Sequence, residues 1–250
     1  MQTQATVGQY FNVYALSEQA ITIEFGQEIN EDTLQKVTAF NQLIIQNPFP
    51  GFYTTVPAYT TLTVFFDPLQ VIQSDLPGTD CFDKVSAYLT GLKNNRQDIL
   101  ITHPGTITIP VCYDGLFGPD IEEVASHTKL TPQEVISLHS KAIYKVYMIG
   151  FVPGFAYLGG MAEALATPRR ATPRNAVPAG SVGIAGMQTG VYPLETPGGW
   201  QIIGRTPLKM FNADRPQPAL LKAGDQVVFK PIDKSEFDHL ANNPNADKDH

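Results

Sequence analysis

The sequence predicts an α+β sandwich over residues 1–98, a mainly β domain over residues 106–235 and a polar tail over residues 236–250. Three observations carry this. Residues 1–98 alternate strand-like and helix-like periodicity. After a polar junction around His103-Pro104-Gly105, strand signals restart, and Gly or Pro then interrupts them every few residues, as in small barrels and sandwiches. The 43% hydrophobic and 16% charged content suits a folded globule with ample core.

Ala20 to Phe25 is a short β-branched run. Asn30 is placed to cap the helix that follows, with Glu31 and Asp32 in its first turn. Leu34, Val37, Phe40, Leu43 and Ile44 recur at helical spacing. Phe52 to Val56 and Thr61 to Phe66 read as strands around a Pro-containing bend, and Asp80 to Leu92 reads as a second helix. Strand, helix, strand, strand, helix, then strand is the ferredoxin-like order. In the second domain, Thr106 to Val111 opens with a strand. Thr131-Pro132-Gln133-Glu134 is a helix start with a capping box. From Asp233 onward polar and charged residues dominate, as in a frayed tail.

A net charge of −7 argues against nucleic acid or an anionic membrane as the main partner. No N-terminal stretch joins basic residues to an apolar core, so no signal peptide is expected. No apolar run approaches the roughly 20 residues of a membrane helix. Cys81 and Cys112 read as two reduced thiols of a cytoplasmic protein, with a disulfide between them as the alternative. His103, His127, His239 and His250 lack ligand spacing, so no protein-bound metal is expected.

The densest chemistry lies between Tyr147 and Pro207, where four of the six arginines fall. Arg169, Arg170 and Arg174 sit in the Pro-framed loop TPRRATPR. They suit either a solvated surface or a fork-shaped grip on a carboxylate or phosphate, and the second is favoured. Arg205 is held by Gly204 and Pro207 at a strand end and reads the same way. Gly199 to Thr206 has phosphate-loop spacing, but its middle is a strand. Ser181 sits in an imitation of a nucleophile elbow that lacks the flanking strand and helix; it reads as a turn or ligand hydroxyl. The Gly180, Gly183, Gly186 and Gly190 series fits tight barrel turns and also an anion-binding nest. His139 is either a satisfied core group or a proton carrier. Tyr192 and Trp200 suit stacking on a flat ligand or anchoring a core or interface. Gln188 suits an amide or lactam contact or an ordinary loop contact, and Asp120 reads as a helix cap.

The same stretch resembles the family that takes in the B subunit of 5-oxoprolinase, allophanate hydrolase subunit 1 and kinase A inhibitor. The resemblance rests on Gly150-Phe151 with Pro153-Gly154-Phe155, then Pro168-Arg169-Arg170 and Pro173-Arg174. It continues through Val177-Pro178-Ala179-Gly180-Ser181-Val182-Gly183, Gln188-Thr189-Gly190, Tyr192-Pro193, Pro197-Gly198-Gly199-Trp200 and Ile203-Gly204-Arg205-Thr206-Pro207. Val56-Pro57, Gly118-Pro119-Asp120, Leu138-His139-Ser140 and Gly224-Asp225 also fit, so it covers nearly the whole chain. The resemblance implies a cyclophilin-like barrel for the second domain. It also implies ATP-dependent opening of 5-oxoproline to glutamate, shared with subunits A and C, with ATP and magnesium acting at the level of the complex. On that reading His139, Arg170 and Arg205 are catalytic, and Arg169, Arg174, Ser181, Gln188, Tyr192 and Trp200 bind substrate. Two alternatives come with the resemblance: a module that inhibits a sensor histidine kinase, and a component of urea or allophanate metabolism.

Overall fold

The computed structural model describes residues 11–94 and 105–243. The chain divides into two compact units, Met1–His103 and Pro104–His250. Among the described residues no helix is long and apolar enough to cross a membrane.

In the first unit β1 (Asn12–Ser17) and β2 (Ala20–Glu24) form a hairpin, and α1 (Glu31–Gln46) follows. Then β3 (Phe52–Pro57) and β4 (Thr61–Phe66) form a second hairpin, ahead of α2 (Pro68–Gln73) and α3 (Cys81–Asn94). The antiparallel sheet runs β1-β2-β4-β3. Asn30 caps α1 as its sequence position predicts, its Oδ1 accepting the Thr33 amide at 2.9 Å. Leu34, Val37, Phe40 and Ile44 are buried, and the last three join Ile21, Ile23, Leu62 and Val64 in one core. Asp67 caps α2 by accepting the Leu69 amide at 2.9 Å. Lys84 is buried on α3, and its ammonium donates to the Ser74 and Leu76 carbonyls at 2.7 Å each. The sheet differs from the expected order at β1. Its side chains are nearly all exposed, so it carries no alternating signal, yet its backbone pairs with β2 along the edge. The strand expected after the second helix falls on residues 95–104, outside the described residues.

In the second unit β5 (Thr106–Cys112) leads to α4 (Ile121–Thr128) and α5 (Pro132–Lys141). The strands β6 (Tyr144–Ile149), β7 (Ala156–Gly159), β8 (Arg174–Val177), β9 (Ser181–Ala185), β10 (Gln188–Val191), β11 (Thr196–Gly198), β12 (Gln201–Arg205) and β13 (Gln226–Ile232) follow, and α6 (Lys234–Asn242) comes last. Seven strands close a barrel in the order β10-β7-β6-β13-β5-β12-β9, and β8 pairs with β11 outside it. The β5–β13 pair is parallel. The capping box forms at Thr131, whose Oγ1 accepts the Glu134 amide while Glu134 Oε2 accepts the Thr131 amide at 2.7 Å. Val111, Tyr144, Leu158, Val182, Val191 and Phe229 form one buried cluster with Val124 of α4 and Val135 of α5.

Gly183 and Gly190 face each other across β9 and β10 in extended strands. A Cβ on Gly190 would lie 2.8 Å from the Ala156 carbonyl oxygen and 3.2 Å from the Trp200 ring. A Cβ on Gly183 would lie 3.1 Å from Trp200 Cβ. These two glycines therefore make room for Trp200, Gly190 for its ring and Gly183 for its Cβ, and do not form an anion nest. Gly180 does sit in a turn, with φ +83°.

The frayed tail expected from Asp233 is corrected as far as Asn242, because that stretch forms α6. Asp233 caps it by accepting the Glu236 amide at 2.8 Å. One apolar residue, Phe237, is buried and lies near Phe117 with ring centroids 4.4 Å apart. Leu240 is partly buried against the same cluster, and two apolar anchors in a short polar helix leave little periodicity to read.

Candidate functional site

Asp120 gathers two of the loop arginines. It stands at the N-cap position of α4, but its side chain makes no capping hydrogen bond, which corrects the expected role. Its Oδ1 accepts from Arg170 Nη1 at 2.9 Å and from Arg174 Nη2 at 2.6 Å. Its Oδ2 accepts the Ile202 amide at 2.6 Å, and its own amide donates to the Ile202 carbonyl at 2.9 Å. The carboxylate is 4% exposed, and a charge so buried needs several donors. The Arg170 amide donates to the Gly199 carbonyl at 2.7 Å, and Arg174 pairs with Gly198 where β8 meets β11. The two side chains are 32% and 25% exposed, while Arg170 Nε and Arg174 Nη1 are buried without a hydrogen-bond partner among the described residues. Arg169 is exposed beside them. Two guanidinium groups share one carboxylate, so the cluster keeps a net positive charge and a preset orientation.

Tyr192 and Trp200 lie in a buried aromatic cluster with Phe155, 2% and 5% exposed. Phe155 meets Tyr192 edge-on at 5.3 Å and Trp200 at 5.4 Å. Burial pushes the Tyr192 phenol up. Both rings therefore take the core-anchor role that the sequence leaves open. Phe151 lies against Phe155, is 63% exposed and holds φ +68°, an unfavourable backbone for a bulky residue. Ser181 heads β9 at 2% exposure, its amide donating to the Pro178 carbonyl. Gln188 heads β10 and is half-buried.

His139 is fully buried on α5 and stacked on Phe229 at 4.5 Å. Thr189 Oγ1 donates to the Gly183 carbonyl at 2.9 Å, so toward His139 Nε2, 2.9 Å away, it accepts. Nε2 therefore carries the proton, and Nδ1 accepts from the Tyr113 hydroxyl at 2.8 Å. Burial pushes the imidazole pKa down to about 3. Both nitrogens are engaged and the ring stays neutral near pH 7, which suits the core role over proton transfer.

Arg205 ends β12. Its Nε donates to the Ala179 carbonyl at 2.8 Å, which fixes the guanidinium on the wall of a 510 Å³ cavity. Lys209, Asn212, Phe211 and Phe237 line the same cavity. Sequence reasoning alone does not mark Asp120, Lys209 or Asn212 as site residues. Asp120 is 50 residues from Arg170, and only the contact between α4, β12 and the loop brings them together. The Gly118-Pro119-Asp120 motif is a sequence signal for Asp120; Lys209 and Asn212 have none.

The model of the family described as carboxyltransferase domain, subdomain C and D, matches residues 11–221. The 5-oxoprolinase B subunit of Bacillus subtilis (strain 168) is 44% identical over 234 residues, 91% of this chain and 95% of that protein. A conserved uncharacterized protein from Pyrococcus horikoshii, known from a crystal structure, is 44% identical with a TM-score of 0.52 over 90% of this chain and 99% of its own. The crystal structure of TTHA0988 is 34% identical with a TM-score of 0.73 over 86% of this chain. This chain spans 40% of that longer relative.

Proposed function

On the premise that the chain belongs to the carboxyltransferase domain, subdomain C and D family, we propose that it is the B subunit of an ATP-dependent 5-oxoprolinase. That enzyme opens 5-oxo-L-proline to L-glutamate and is completed by subunits A and C. One observation carries the reading: the match to a 5-oxoprolinase B subunit runs along nearly the whole of both chains. The closed seven-stranded barrel supports a cyclophilin-like reading of the second unit. Two hairpins with helices after each support a ferredoxin-like reading of the first, with β1 added at its edge.

The chemistry gives the arginines a task. A five-membered lactam is resonance-stabilised and resists water. Transfer of the terminal phosphoryl group of ATP to the amide oxygen makes the ring carbon electrophilic. One water adds there and the C–N bond opens; a second releases phosphate, leaving glutamate and ADP. Negative charge sits on the substrate carboxylate and the moving phosphoryl group throughout. Guanidinium groups already oriented stabilise such charge without reorganising. Arg170 and Arg174, oriented by Asp120, and Arg205, pinned by Ala179, fill that role, and Arg169 adds charge from the surface. Gln188 orients the substrate. Ser181 pairs with Arg205 between β9 and β12, Tyr192 and Trp200 anchor the Phe155 cluster, and His139 is held in the barrel core.

ATP and magnesium act at the level of the complex. Gln201–Arg205 is a strand and supplies no phosphate-cradling loop. Among the described residues no three His, Cys, Asp or Glu side chains gather where they could hold a metal.

The test mixes the chain with its matching A and C partners, ATP and 5-oxoproline. Phosphate and glutamate should be released together only from the complete mixture. An assembled mixture that yields no glutamate refutes the reading.

A further inference from the structure

The 510 Å³ cavity beside Arg205 lies within the second unit. The turn at Gly180 bounds it on one side, Leu194 on another, and Phe237 and Ala241 of α6 on a third. Residues 205–209 and 211–213 complete the wall.

Three features of that wall converge on one ligand chemistry. The first is charge. Among the described residues Arg205 and Lys209 line it and no carboxylate does, in a chain whose net charge is −7. Arg205 uses only its Nε internally, on the Ala179 carbonyl. Among the described residues its two terminal nitrogens and the Lys209 ammonium have no hydrogen-bond or ion-pair partner. The second is the sense of the remaining hydrogen-bond capacity. Asn212 Oδ1 accepts the Asp214 amide at 3.1 Å, and its two NH₂ donors have no partner among the described residues. Thr206 Oγ1 accepts the Leu208 amide at 3.2 Å, and its hydroxyl hydrogen has no partner among the described residues. With the two cations these groups give the wall a surplus of donors, and its complement is an acceptor-rich anion. The third is the apolar remainder. Leu194, Leu208, Phe211 and Phe237 would be wasted on a bare phosphate, and the volume far exceeds one.

We propose that this cavity binds a small organic carboxylate whose non-polar body carries an amide carbonyl, as 5-oxoproline does. The carboxylate lies on Arg205 and Lys209. The ring carbonyl accepts from Asn212, and the ring methylenes rest on Leu194 and Phe211. The volume leaves room beside the ring for a second reactant. The choice of 5-oxoproline as the probe rests on the 5-oxoprolinase reading; the anionic ligand preference of the donor-lined cavity does not.

The test is titration of 5-oxoproline into the full chain and into the complex assembled with A and C, followed by calorimetry and by amide NMR shifts. Lys209→Gln removes one exposed charge without touching the core and should weaken binding about tenfold, the worth of one charge-assisted contact. Ala241→Trp fills the cavity from α6 and should abolish binding, with circular dichroism unchanged. Shifts should cluster at residues 205–213. The proposal is overturned if neither wild-type preparation binds 5-oxoproline, if both variants bind it as wild type does, or if ATP displaces it competitively. Turnover by the same wild-type complex is scored separately. Glutamate production with unaltered binding in both variants sinks the cavity and leaves the enzymatic reading standing. Binding that the variants abolish, without glutamate from the assembled complex, sinks the enzymatic reading and leaves the cavity standing.

Discussion

Acidification from pH 7 to pH 5 should cost this protein about 2 kcal/mol of stability through His139 alone. The unfolded imidazole titrates near 6.5, while the folded one is pushed down to about 3 by complete burial. Between those values the unfolded chain binds a proton that the folded chain refuses. Stability therefore rises with pH across that window, by about 1.4 kcal/mol per unit at most, and is fully regained above 6.5. The structure explains the refusal. A proton on Nδ1 would face the Tyr113 hydroxyl, which is already its donor, in a buried site with Phe229 stacked on the ring. The assay is urea unfolding at pH 7, 6 and 5, followed by the fluorescence of Trp200, the single tryptophan. His139→Gln removes the titration and keeps a donor and an acceptor. Wild type should lose about 2 kcal/mol more than the variant over that range. Equal losses in the two proteins would show that His139 takes up a proton in the folded state, and would return it to the candidate proton carriers.

Asp120→Asn keeps an acceptor for Ile202 but cannot serve two guanidinium groups. With both arginines a quarter to a third exposed, the stability loss should be about 2 kcal/mol, below that of a fully buried pair. A double-mutant cycle with Arg174→Ala should show coupling, and strict additivity would refute the shared-carboxylate arrangement. Gly190→Ala drives a methyl against the Ala156 carbonyl and the Trp200 ring, so the urea midpoint should fall by the equivalent of about 2 kcal/mol. Lys84→Met should destabilise the first unit by about 2 kcal/mol, because the Ser74 and Leu76 carbonyls lose a charged donor. Hydrogen exchange confined to that unit would report it.

What the sequence discloses, and what it hides, follows from the range of the interactions. Caps at Asn30 and Thr131 depend on residues three apart, and both form as their spacing implies. The α1 core face and the hairpin strands of the first unit follow from periodicity in the same way. The β1 edge strand escapes because exposed side chains leave no alternation. Helix α6 escapes because only Phe237 is fully buried and only Leu240 packs beside it in a short polar stretch. The arginines are legible as a group, since their loop concentrates charge between prolines. Their state is not, because it is set by Asp120, which reaches them only through the fold.

That dependence on Asp120 bears on how the site works. A guanidinium pair alone would repel and splay; a buried carboxylate between them holds both on one oxygen and lowers their joint charge to one. Such a cluster grips an anion more weakly than two free arginines, but it has already lost the side-chain entropy of ordering. Arg205 reaches the same condition without a counter-charge, since a neutral carbonyl pins its Nε and leaves the full charge for a ligand. The cavity arginine is thus the stronger electrostatic anchor and the loop pair the better-oriented one. On the proposed reading, that difference suits Arg205 to a ligand that arrives already charged. On the same reading it suits Arg170 and Arg174 to charge that develops in place, where preset orientation counts for more than raw attraction.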